Sequence, residues 1–118
     1  MKTIFPEMIR TLPHVQVPVK GATGYLLQAA SQQVVCMQFD RTVTIPEHTH
    51  ENQWEIVLEG QVELTMNTLT TRYTKGMRFS IPKGTTHHAT VHAGYACIMF
   101  FDQKDRYKKK EETTTPLE

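Results

Sequence analysis

Apolar and polar positions in this chain alternate with a period of two, in short runs rich in Val, Ile, Thr, Tyr and Phe. Pro13, Pro18, Gly21, Gly24, Pro46, Gly60, Gly76, Pro82, Gly84 and Gly94 separate the runs. The pattern predicts strands over Val15–Val19, Tyr25–Ala30, Gln33–Asp40, Trp54–Glu59, Gln61–Asn67, Thr70–Thr74, Arg78–Ile81, His87–Val91 and Tyr95–Phe101. A helical period is absent until Gln103–Glu112, where a short polar terminal helix is expected. Many short strands joined by tight turns mean an all-β sandwich or barrel. At 118 residues the chain is one domain with a single core. Within it, strands in 1–30 are expected to cover the barrel or exchange with a partner. Residues 31–102 form the barrel core, and 103–118 a charged tail.

Two strands are apolar on both faces. Val35, Met37 and Phe39 alternate with Val34 and Cys36, and Tyr95–Phe101 is apolar nearly throughout. Such strands need cover outside the sheet as well as inside, and a small barrel has few elements to supply it, so a homodimer is expected.

Charge excludes some functions. With 13 basic and 12 acidic residues there is no broad basic surface for nucleic acid. The cluster Lys108, Lys109, Lys110 runs into Glu111 and Glu112 and reads as a solvated end. The N-terminus, MKTIFPEMIRTLP, has no long apolar stretch, so neither a signal peptide nor a membrane segment is expected. Cys36 and Cys97 lie in apolar runs and read as buried, reduced thiols of a cytoplasmic protein.

The candidate chemistry is in the histidines. His48 and His50 stand at i and i+2 on an extended segment and project from one face, as a chelating pair must. On pattern alone the pair could equally be two exposed loop residues. Farther on, His87 begins a strand whose inward positions would be His87, Ala89 and Val91, with His88, Thr90 and His92 facing away. His88 and His92 read as surface or outer-sphere groups, and His14, among prolines, as a loop residue.

The stretches His48–Gly60 and Gly76–His87 resemble the two motifs of the cupin superfamily. The second fits cleanly: Gly76, five residues, Pro82-Lys83-Gly84, two residues, His87. The resemblance implies a jelly-roll barrel, or double-stranded β-helix, with a metal inside, held by His48, His50, His87 and a fourth ligand. That ligand is usually a Glu seven residues before the closing glycine, a position occupied here by Gln53. Glu55 lies two residues on, but adopting it would shift the ligand by about 6 Å along a regular strand. The family's usual Asn at the end of the second motif is Val91 here.

Placing Gln53 inside has a consequence. Hydrophobicity alone would turn Trp54, Ile56 and Leu58 toward the core and leave Gln53 and Glu55 solvated. The resemblance implies the reverse, with Glu55 in the cavity as proton acceptor or as an orienting group, and the apolar stripe covered by another subunit or by the N-terminal segment.

Three imidazoles and an amide leave the ion's double charge uncompensated, which favours a small anionic ligand and weakens metal retention. Such a donor set suits one divalent transition metal, Fe, Mn, Ni, Co or Zn. Because only neutral imidazole binds, occupancy should fall as pH drops through about 6.5. The resemblance implies dioxygenation, isomerisation or decarboxylation of a small polar metabolite, or alternatively a non-enzymatic module that binds or senses one.

Overall fold

Period-two alternation becomes nine strands in the computed structural model, which describes residues 3–110. In chain order they are β1 Ala22–Gln28, β2 Gln33–Phe39, β3 Val43–His48, β4 Gln53–Glu59, β5 Gln61–Met66, β6 Leu69–Thr74, β7 Arg78–Ile81, β8 His87–Val91 and β9 Ala96–Phe101. They form a five-stranded sheet in the order β1-β2-β9-β4-β7 and a four-stranded sheet in the order β3-β8-β5-β6. Neighbouring strands all run antiparallel. This is the expected jelly roll. Alternate residues of the two inner faces meet as one core, with Val35, Met37 and Phe39 of β2 and Cys97, Met99 and Phe101 of β9 against Val62 and Leu64 of β5 and Ala89 and Val91 of β8.

One glycine is required by geometry. Gly60 turns the β4–β5 hairpin at φ +77°, and a Cβ there would lie 2.9 Å from the Tyr95 backbone.

Several expected elements differ. Val15–Val19 is not a strand: only isolated bridges form, His14 to Tyr25 and Val15 to Lys109. Pro18 lacks the N–H that a ladder needs, and Val17 and Val19 instead line the barrel cavity. The strand expected at Tyr25–Ala30 begins earlier and ends at Gln28. β3 was not expected, because Pro46 and Glu47 break its alternation; it pairs with β8 through a bulge between Ile45 and His48.

No helix forms over the described part of Gln103–Glu112, whose last two residues lie outside the described region. The reason is competition from sheet-like bonds. Gln16 donates to the Lys108 carbonyl at 2.8 Å, and Lys110 to the His14 carbonyl at 2.7 Å. Buried Gln33 clamps Tyr107, donating from Nε2 to its carbonyl and accepting its N–H at Oε1, both at 2.9 Å. These bonds draw the segment after β9 across one mouth of the barrel.

The N-terminal segment carries a one-turn helix, α1 (Glu7–Arg10), which the period analysis does not anticipate. Phe5, Ile9 and Leu12 pack on Tyr25, Cys36, Ala96, Leu58 and Ile98, on the outer face of the five-stranded sheet. Cys36 and Cys97 are both buried and free. Among the described residues no helix is long and apolar enough to cross a membrane.

Candidate metal centre

Strand pairing brings the distant histidines together. His48 at the end of β3 stands opposite His87 at the start of β8. His50 follows on a loop held against the Pro82-Lys83-Gly84 turn. Gly84 donates to the His50 carbonyl at 3.0 Å, and Lys83 N–H to Asn52 Oδ1 at 2.8 Å. The ring centroids lie 4.2 Å (His48–His87), 4.7 Å (His50–His87) and 5.2 Å (His48–His50) apart. One nitrogen from each ring lies within 4.8 Å of the other two, so the three could hold one metal ion.

Backbone carbonyls select the tautomer. Nδ1 of His48 lies 2.9 Å from the Pro46 oxygen, that of His50 2.7 Å from the Glu51 oxygen, and that of His87 2.8 Å from the Thr85 oxygen. A carbonyl only accepts, so each Nδ1 carries the proton and each neutral ring presents a bare Nε2. His50 Nε2 is buried with no hydrogen-bond partner. An orphaned lone pair beside two more of the same kind fits a cation, and the outer carbonyls are the orienting partners that ligating histidines use.

Burial lowers His50 to about 4, and the Arg106 charge and the neighbouring imidazoles act in the same direction. Burial also lowers His87, with His48 and Arg106 contributing. Both rings therefore stay neutral at acidities where an ordinary imidazole protonates. The loss of metal expected near pH 6.5 is displaced downward as far as these two rings decide it.

On β4 the buried positions are Gln53, Glu55 and Val57, while Trp54 is exposed and Ile56 and Leu58 are half-buried. The polar alternate thus faces inward, against the preference of hydrophobicity alone. The run ends there, because a register shift between Val57 and Glu59 turns Glu59 outward to Lys75 at 2.9 Å.

Inside, Gln53 Nε2 donates to Glu55 Oε1 at 2.7 Å, and the Tyr95 hydroxyl donates to Glu55 Oε2. Burial pushes the Glu55 carboxyl up to about 7, opposed by the bonds from Tyr95, Cys97 and Gln53. Because Glu55 takes the amide nitrogen, the Gln53 carbonyl oxygen is left as the free acceptor, on a side chain lining the same cavity as His48 and His87.

The cavity has a volume of about 150 Å³ and mostly apolar walls, among them Met37, Phe39, Leu64, Phe79, Ile81 and Met99. His88 lies half-buried on the opposite face of β8. His92 pairs with Glu63 at 2.6 Å, and His14 is an exposed residue stacked edge-on against Tyr25 at 4.9 Å. None of these three lines the cavity.

Two residues that do line it, Arg106 and Tyr107, lie in the segment assigned to a charged tail. No periodicity marks them. The one signal is Gln33, a polar residue opening a largely apolar run, whose buried amide anchors Tyr107.

Comparison with known proteins agrees with this geometry. Residues 35–101, more than half of the chain, match the family model of the cupin domain. No curated protein matches. Among solved structures, KdgF from Halomonas sp. superposes with a TM-score of 0.65 at 24% identity, covering 77% of this chain and 87% of that one. An RmlC-like cupin from Shewanella frigidimarina gives 0.68 at 22%, covering 80% and 86%. Oxalate decarboxylase from Bacillus subtilis gives 0.67 at 16%, covering 83% of this chain and 30% of that one. At such identities the structural likeness is one of fold. The matched family model, the two-sheet jelly roll and the inward histidine cluster together place the chain in the cupin superfamily.

Proposed function

We propose that this cupin holds one divalent transition metal through His48, His50, His87 and the carbonyl oxygen of Gln53, and acts on a small anionic metabolite drawn to it. The observation that carries this reading is the set of three imidazoles, each committed at Nδ1 to a carbonyl, with Nε2 of His50 buried and unpaired. Fe, Mn, Ni, Co and Zn all suit such donors. When bound, the ion would supply a Lewis acid and an anchor for anionic oxygen, strengthened because no carboxylate neutralises it. The chain's own residues do the rest. Apolar walls exclude water, and Glu55, the one acid lining the cavity among the described residues, holds Gln53 in place. With its carboxyl near 7, Glu55 is also suited to take a proton at a carboxylate oxygen.

A second reading is favoured by one feature. Both Glu55 oxygens are already occupied, by Gln53 and Tyr95, which leaves little capacity for a base and suits a module that only binds or senses its ligand. Metal analysis of protein purified without chelator, then oxygen uptake and product analysis on a panel of 2-oxo acids, catechols and sugar acids, separates the two. Turnover above the metal-free control supports the enzyme; binding without turnover across the panel supports the module.

Glu55→Gln is expected to weaken metal binding by about 10- to 100-fold while the barrel still folds, because an amide at 55 no longer dictates which end of the Gln53 amide faces the metal. Calorimetric titration with Zn(II) measures this, and unchanged affinity would remove Glu55 from the site.

The homodimer belongs to the same reading. Leu27, Val34, Phe100 and Trp54 are cross-strand partners that form a row on the outer face of β1, β2, β9 and β4. Leu27, Trp54 and Phe100 are 52%, 41% and 38% exposed. A second copy would cover this row. Sedimentation should show a dimer in the wild type and a monomer for Trp54→Glu.

A further inference from the structure

Among the described residues, the metal centre and the Glu55 network leave one buried polar atom at the cavity without a partner. Arg106 Nε is buried and makes no hydrogen bond among the described residues, although a guanidinium carries a fork of five donors. Such a buried donor is uncommon in a folded protein and points to a missing acceptor. The group is already held in place. Its Cζ lies 4.6 Å from the Tyr107 ring centroid and 5.6 Å from that of Phe101, and Gln33 clamps the adjoining backbone through Tyr107.

No acid of the cavity serves as counter-ion, since Glu55 is taken by Gln53 and Tyr95. A planar fork on a side chain that lines the cavity fits a carboxylate.

The rest of the cavity restricts what can be attached to that carboxylate. Apart from the metal-facing groups, the Glu55 network, Arg106 and Tyr107, every lining side chain is apolar, and none is Ser, Thr or Asn. A ligand rich in hydroxyls would bury them unpaired. At about 150 Å³ the space matches that of an apolar cavity able to hold a benzene-sized molecule.

We propose that Arg106 anchors the carboxylate of a small ligand whose body is apolar, and that this residue sets the site's preference for such acids over hydroxylated ones. This deepens the function proposed above and rests on it for the metal beside the carboxylate.

Calorimetric titration of benzoate, its uncharged counterpart benzamide, and galacturonate into metal-free and Zn(II)-loaded protein tests the assignment. Benzoate should bind wild-type protein at least roughly tenfold more tightly than either of the others, in both forms. Arg106→Met, which keeps the length of the stem, should lose that preference, and Arg106→Lys should keep part of it. Melting temperatures show that each variant is folded; if Arg106→Met is not, Arg106→Lys and the wild-type selectivity decide. Equal binding of benzoate and benzamide, tighter binding of galacturonate, or an undiminished preference in a folded Arg106→Met would overturn the proposal. Failure to take up Zn(II) would overturn the metal reading instead, while the benzoate preference of the metal-free protein would still decide the role of Arg106.

Discussion

His87→Ala is expected to bind Zn(II) at least about a hundredfold more weakly than the wild type, a loss beyond that produced by disturbing an outer orienting partner. His87 is 4% exposed at the start of β8, and its ring is the nearest neighbour of both other imidazoles in the cluster. Removing it leaves His48 and His50 on one segment with no donor from the opposite hairpin. Two imidazoles on a loop and a strand end form the kind of pair that surface loops often carry without a metal. Fold should survive, because Ala89 and Val91 continue to fill the core side of β8. Calorimetry with Zn(II), alongside a melting curve, separates the two effects. Retained affinity would mean that the ion, if any, is held elsewhere.

Phe101→Ala should produce the largest loss of stability, about 3–5 kcal/mol. Phe101 is 1% exposed, pairs in register with Gln33 and Gln53, and meets the His50 ring in a T-shaped contact at a centroid distance of 5.6 Å. Truncation removes a large buried side chain at the centre of the five-stranded sheet. It also removes the wall that orients His50 and one of the two rings under Arg106. For a domain of this size the melting temperature should fall on the order of 15 °C. Metal affinity should fall with it even in the fraction that remains folded. A drop of only a few degrees would mean that the barrel closes around the hole.

The pH dependence of the metal-free protein carries two opposing contributions. His50 has a folded pKa near 4, below that of the unfolded chain, so its contribution to stability is present above about 6.5 and lost as pH falls toward 4. Glu55 has a folded pKa near 7, above that of the unfolded chain, so its contribution is present below about 4.5 and lost as pH rises through 7. Between these limits they oppose each other. Glu55→Gln should therefore show melting temperatures that climb more steeply from pH 4 to 6.5 than the wild type does, with no decline toward pH 7. Parallel curves for the two proteins would show that Glu55 does not titrate in this range.

The all-β layering was legible from a short-range rule, while the jelly roll and the histidine cluster were legible through the resemblance to the cupin motifs. Alternation marks a half-buried strand, and the turn residues Gly76, Pro82 and Gly84 sit at fixed offsets from His87. The inward placement of Gln53 and Glu55 was legible only through family resemblance, since period-two hydrophobicity points the other way. What reverses it is the pairing of each polar group with another, Gln53 with Glu55 and Glu55 with Tyr95, and no local pattern records a contact across forty residues.

The segment after β9 was misread for a similar reason. Gln103–Lys110 is polar enough to suggest a free helix or tail, yet its backbone is committed to Gln33, Gln16 and His14. Those bonds form only once the barrel exists, and they bring Arg106 to the cavity. β3 was hidden by Pro46, which breaks the alternation at the bulge that delivers His48.

X-ray absorption on protein loaded with one equivalent of Zn(II) addresses the metal centre most directly. The predicted result is a shell of light atoms at roughly 2.0–2.1 Å with the outer scattering of three imidazoles, and no sulfur at the longer distance a thiolate would give. Fewer than three imidazoles, a cysteine sulfur in the shell, or failure to take up the ion would contradict the assignment of His48, His50 and His87 to a shared metal inside the barrel.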